Sequence, residues 1–220
     1  MNLSTLFRLG ENLNLDRKTL INLRWIAIIG QLIAINIVYF YLNLEFPIKI
    51  SYSIIAIGLL TNIYLQFKIK TSELKDVYAS FGLLYDLIQL SALLYLTGGI
   101  SNPFSILLII PAIVSSTFLS MGTTIILGII TFICLILLTI FHYPLPGIHE
   151  EGITFPTLYL TGYLLAIIIG LIFLSYFGMK FAGENKRRSD AISKLQQVIA
   201  KEYELESLGG QAAAAAHSLG

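Results

Sequence analysis

Cysteine is almost missing from this chain: Cys134 stands alone among 220 residues. One cysteine excludes an internal disulfide and any cysteine-rich metal site. Its neighbours Phe132, Ile133, Leu135 and Ile136 mark it as a buried thiol rather than a redox switch. Charge is scarce too. Asp, Glu, Lys and Arg make up 12% of the residues, against about 25% in ordinary soluble domains. The formal net charge of +1 argues against a general nucleic-acid binder. The first 20 residues hold Arg8, Glu11, Asp16, Arg17 and Lys18 without a short apolar core, so they do not read as a cleavable leader. Proline is absent from residues 180–217, so nothing there interrupts a helix.

What is abundant is apolar surface. Hydrophobic residues reach 56% and the mean hydropathy is +0.79. Apolar runs occupy residues 25–43, 50–67, 78–97, 103–121, 123–142 and 157–179. Runs of about 18–23 residues cross a hydrocarbon core of about 30 Å when helical. The expected fold is an all-α membrane protein with six transmembrane helices, followed by a signalling helix. The basic residues set its orientation. If the N-terminus lies inside, then among the 14 Lys and Arg only Lys49 falls outside. Both ends are therefore expected in the cytoplasm, in an inner (cytoplasmic) membrane. The divisions are an N-terminal segment 1–24, a membrane domain 25–179 and a cytoplasmic helix 180–220. Arg24 and Trp25 open the first span, where snorkelling and an amphipathic ring suit an interface.

One loop differs from the charged linkers that usually join membrane helices. Residues 97–104 read TGGISNPF and carry no charge. Gly98 and Gly99 permit positive φ and let another molecule approach the main chain. Asn102 precedes a proline and is pushed to an extended conformation, from which it can cap the next helix. Pro103 then falls at the first helical position, where a missing N–H costs nothing. The structural reading is a glycine stop followed by an Asn-Pro start. The functional one is that the glycines expose main-chain N–H groups while Phe104 offers a ring for an aromatic ligand.

Asp86 lies near the middle of the third span, where a carboxylate needs a partner or a function. Gln89 shares its helix face. Gln31, Asn36, Ser115 and Ser116 are candidate neighbours. Asp86 sits about 16 Å deeper than Thr97 along the helix, too far to share a small ligand with the loop. Pro111 is expected to kink the fourth span. Gly162, Ala166 and Gly170 have the spacing of a close helix contact, a candidate dimer seam. His142 and His149, seven residues apart, make a poor metal site, and no metal is expected. Beyond the sixth span, Ile192, Leu195, Ile199, Leu205 and Leu208 form an apolar stripe that suits a partner helix, and Gly209-Gly210 are weak points in it. His217 follows five alanines at the end of that helix. An imidazole must be uncrowded to accept a phosphoryl group, but a lone exposed histidine is usually only a surface residue.

Two stretches resemble one family. LLYLTGGISNPFSILLIIPAIVSS is similar to the third and fourth spans of the RegB/PrrB/ActS redox-sensing histidine kinases, with Gly98, Gly99, Asn102, Pro103 and Phe104 at the fixed positions of a GGxxNPF motif. RWIAIIGQ looks like that family's first span, and LESLGGQAAAAAHSLG like the start of its histidine-containing dimerisation helix, with His217 at the phosphoacceptor position. The resemblance implies ubiquinone as a regulatory ligand at the loop, a homodimer and a response-regulator partner. Two departures accompany it. Ser218 stands where an acidic residue usually assists phosphotransfer. The sequence also stops before the second dimerisation helix and the ATP-binding domain, so ATP-dependent autophosphorylation is not expected of these residues alone.

The expected function is thus the quinone-sensing membrane module of a two-component sensor histidine kinase, signalling through the sixth span to His217. The rival reading is a small proton- or ion-coupled transporter or membrane scaffold built on Asp86. A decayed kinase remnant is a third.

Overall fold

The computed structural model describes residues 17–68, 76–147 and 155–219. Helix α1 spans Arg17–Asn36 and widens into a π-helical turn at Ile37–Tyr41. Helix α2 spans Ile48–Lys68 and α3 spans Asp76–Leu96. A 3₁₀ turn at Gly99–Ser101 leads to a longer 3₁₀ segment, Pro103–Ile109, which runs directly into α4, Ile110–Phe118. Helix α5 spans Met121–Ile140 and α6 spans Thr157–Leu219. No strand occurs among the described residues.

Five helices are long and apolar enough to cross a membrane, and the run Pro103–Phe118 is a shorter apolar sixth. Its winding makes up the difference. Seven 3₁₀ residues rise about 14 Å and nine α-helical residues about 13 Å, together about 27 Å, close to the core thickness. Pro111 does not kink a uniform α-helix, as expected from sequence. It sits at the first turn of α4, where the winding changes from 3₁₀ to α, and its missing N–H falls at that changeover. The first helix also begins earlier than expected, at Arg17 rather than at residue 25, which puts Arg24 two turns inside it.

The chain divides into two compact units, Met1–Ala182 and Gly183–Gly220. In the first, α3 is the central post. Leu87 and Leu94 join a core with Leu108, Ala112, Leu135 and Ile167 from α4, α5, α6 and the 3₁₀ segment. Ala79 and Leu83 pack with Leu20 and Leu127. Leu93 packs with Ile28, Ile35 and Ile55 of α1 and α2. Large apolar side chains such as Ile26, Phe81, Ile126 and Ile169 point outward, as lipid-facing residues do. Polar residues turn inward and pair. Ser115 and Thr124 hydroxyls meet at 3.0 Å between α4 and α5, and the Tyr52 hydroxyl donates to Asn36 at 2.9 Å.

In the second unit the helix continues through Gly209 and Gly210, which were expected to weaken it. Ile192, Leu195, Ile199, Leu205 and Leu208 are all exposed, and so is His217.

Candidate functional site

The α3–α4 turn is built from the inside out. Gly98 has φ +111° and Gly99 φ +56°, left-handed conformations that a side chain resists. Space at both positions is taken by the protein's own chain. A methyl group at Gly98 would lie 2.5 Å from Leu145 Cδ1 and 2.9 Å from Leu145 Cα. At Gly99 it would strike the Leu138 carbonyl and lie 2.6 Å from His142 Cβ. Both glycines are buried. The missing side chains make room for the end of α5 and the segment after it. Tyr143 seals that approach, its N–H donating to the Tyr95 carbonyl at 2.8 Å and its ring meeting the Tyr95 ring edge-on at 5.4 Å.

Asn102 has the extended backbone expected before proline, φ −76° and ψ 123°. Its Oδ1 accepts from the Phe104 N–H at 2.9 Å. Its amide nitrogen donates to the Thr97 carbonyl at 3.0 Å and to Thr97 Oγ1 at 2.8 Å. Both donor hydrogens and one acceptor site are therefore committed within the turn. The side chain thus caps the 3₁₀ segment, as the sequence allowed. Pro103 occupies the first helical position, as expected. Phe104 projects outward and is 49% exposed.

A contact that sequence reasoning missed fastens this turn to α6. The Tyr163 hydroxyl donates to the Pro103 carbonyl at 3.0 Å and accepts from Ser105 Oγ at 3.2 Å. Its ring lies parallel to Tyr159, which stacks in turn on Phe155. A tyrosine near a span end reads from sequence as an interfacial belt residue, so nothing local advertised this bond. Beside the turn, Asn43–Pro47, Leu96 and Tyr143–Gly147 line an open cavity of about 260 Å³.

Deeper in the bundle, Asp86 has a partner that was not anticipated. Arg24 Nε lies 2.8 Å from Asp86 Oδ1, with Arg24 7% and Asp86 25% exposed. The guanidinium also donates to Thr61 Oγ1 at 3.0 Å and lies 5.2 Å from the centre of the Tyr85 ring. Arg24 is thus no snorkelling interface residue; it faces inward to the carboxylate. The expected neighbours of Asp86 are engaged elsewhere. Gln31 accepts from Gln89 at 3.2 Å, Asn36 pairs with Tyr52, and Ser115 with Thr124. Gln89 fits because Gly58 faces it: a methyl there would lie 2.5 Å from Gln89 Nε2. The missed signal was an acid and a base, each isolated among apolar neighbours in separate spans, a combination that invites pairing.

Gly162 and Gly170 have nothing within 4 Å of where a side chain would start, and Ala166 is exposed, so this face of α6 is open. A different glycine makes the close helix approach. A methyl at Gly178 would overlap the Ser116 hydroxyl of α4. His142 Nδ1 lies 2.8 Å from the Tyr143 carbonyl, while His149 falls outside the described residues.

Comparison with known proteins supplies a name for relatives. No family model and no solved structure matches the chain. Two proteins of Cereibacter sphaeroides, both named sensor histidine kinase RegB, are 38% identical to it over 204 and 209 residues. Each alignment covers 92% of this chain and 44% of the relative, so the chain spans less than half the length of the proteins it matches. Over nearly all of its own length, then, the chain is similar to proteins named sensor histidine kinase RegB.

Proposed function

We propose that this chain is a membrane sensor module that reads the redox state of a ubiquinone-type quinone at the α3–α4 turn. The observation that carries the reading is Phe104. A turn fixed by the Asn102 cap and by two buried glycines holds this ring outward, half exposed, at the edge of an apolar bundle. A quinone can keep its tail in lipid while its head lies against that ring and the neighbouring Pro103. Oxidised and reduced heads differ as acceptor and donor at their oxygens, so one site can prefer one form and shift the bundle between two states. In this reading both termini face the cytoplasm of the inner membrane, as the basic residues suggest. The module works as a homodimer within a sensor histidine kinase. His217 is its phosphoacceptor, a response regulator its partner, and the ATP site lies in a domain outside these residues. The open face at Gly162, Ala166 and Gly170 supports a seam between copies.

Photolabelling with an azido-quinone tests the site. Phe104→Ala is expected to lower labelling about three- to tenfold, the worth of one aromatic contact. Undiminished labelling removes the turn from the mechanism. For the seam, Gly170→Leu is expected to abolish cross-linking through a cysteine at position 166. Cross-linking that survives places the dimer contact elsewhere.

A further inference from the structure

Pro103 and Ser105 flank Phe104 in sequence, and one hydroxyl on another helix holds both of them. Tyr163 of α6 donates to the Pro103 carbonyl at 3.0 Å and accepts from Ser105 Oγ at 3.2 Å. Donor and acceptor functions of the phenol are thus both engaged. Ser105 is fully buried, and the Tyr163 ring packs on the core formed by α3, α4, α5 and α6. The bond to Pro103 lies at an exposed position and the one to Ser105 is part-buried, with the Ile100 carbonyl 3.4 Å from Ser105 Oγ as a longer second acceptor. The stack from Tyr163 through Tyr159 to Phe155 stiffens the start of α6. The backbone of Phe104 therefore cannot shift without pulling on α6, or breaking both bonds.

We propose that Tyr163 is the positioning residue that passes a displacement of the Phe104 turn to α6. It acts through Pro103 and Ser105 and does not itself bind the ligand. The link rests on the quinone reading only for the nature of the trigger. A ligand-free displacement should travel the same route.

The experiment is a double-mutant cycle on the full chain in nanodiscs, with Cys134→Ser and spin labels at Ile88→Cys on α3 and Ile169→Cys on α6, two lipid-facing positions. Phe104→Ala is expected to shift the label separation by about 1–2 Å, the size of a helix shift between states. In a Tyr163→Phe background, the same substitution is expected to produce less than half that shift, and Ser105→Ala should give an intermediate loss. An equal shift in both backgrounds overturns the proposal, and so does no shift with Tyr163 present. Azido-quinone labelling of Tyr163→Phe alone is expected to stay within about twofold of the parent; a larger loss makes Tyr163 a ligand contact and overturns its positioning role. If the parent chain takes up no label while the cycle holds, the quinone reading fails and the Tyr163 link stands.

Discussion

Asp86→Ala will destabilise the membrane bundle by about 3–5 kcal/mol, because it strands the Arg24 guanidinium inside. The pair is held at 2.8 Å, with Thr61 Oγ1 accepting from Arg24 Nη2, and Arg24 is only 7% exposed. Removing the carboxylate leaves a cation with one neutral hydrogen bond and an aromatic face, too little to replace its lost hydration. Removing both charges is a different experiment. Arg24→Met combined with Asp86→Leu should return to within about 1 kcal/mol of the parent, since a buried ion pair contributes little net stability over well-packed apolar side chains. Denaturant titration in micelles, read by far-ultraviolet circular dichroism, separates the two outcomes. A double variant as unstable as the single one would show that these residues do more than compensate each other. The same pair bears on the rival function. A carboxylate already spoken for by an arginine suits a structural clamp better than a proton carrier. Proton leak in reconstituted vesicles should therefore be the same for the parent and Asp86→Asn.

Gly99→Ala is expected to cost about 2–6 kcal/mol, from about 1–3 for a left-handed backbone and about 1–3 for overpacking. The new methyl meets a main-chain carbonyl, that of Leu138, which cannot swing aside as a side chain could. Gly162→Ala, by contrast, meets nothing within 4 Å and should gain a few tenths of a kcal/mol from helix propensity. Thermal unfolding of the two variants side by side checks both. A Gly99→Ala protein that melts with the parent would mean that α5 is not packed on the turn as described. Loss of azido-quinone labelling in Gly99→Ala alone would not mark the glycine as a ligand contact, because the turn itself is expected to be deformed.

The spans were legible because apolar length is a property of single segments: six runs became five long helices and one short one. The cap was legible for the same reason, since Asn102, Pro103 and the Phe104 N–H are consecutive. Direction was not. Glycine permits close approach without saying what approaches, and at Gly98 and Gly99 it is Leu145 and Leu138. Arg24 stands at the start of an apolar run, where a snorkelling residue and a buried one look alike until the helix is seen to begin seven residues earlier. Its partner is 62 residues away and Tyr163 is 60 from Pro103, separations no local pattern spans.

The segment Pro103–Ile109 also makes the fourth span a coiled element of adjustable length. Wound as 3₁₀, its seven residues cover about 14 Å; rewound as α-helix they would cover about 10.5 Å. The same rewinding takes out about two-fifths of a full revolution, from three residues per turn to 3.6. Were Ile110–Phe118 to stay anchored, Phe104, six residues away, would be drawn about 3 Å toward the midplane and swung to another side of the bundle. A short stretch of tight winding beside a proline thus gives this protein a screw thread at the point where its exposed ring meets the lipid.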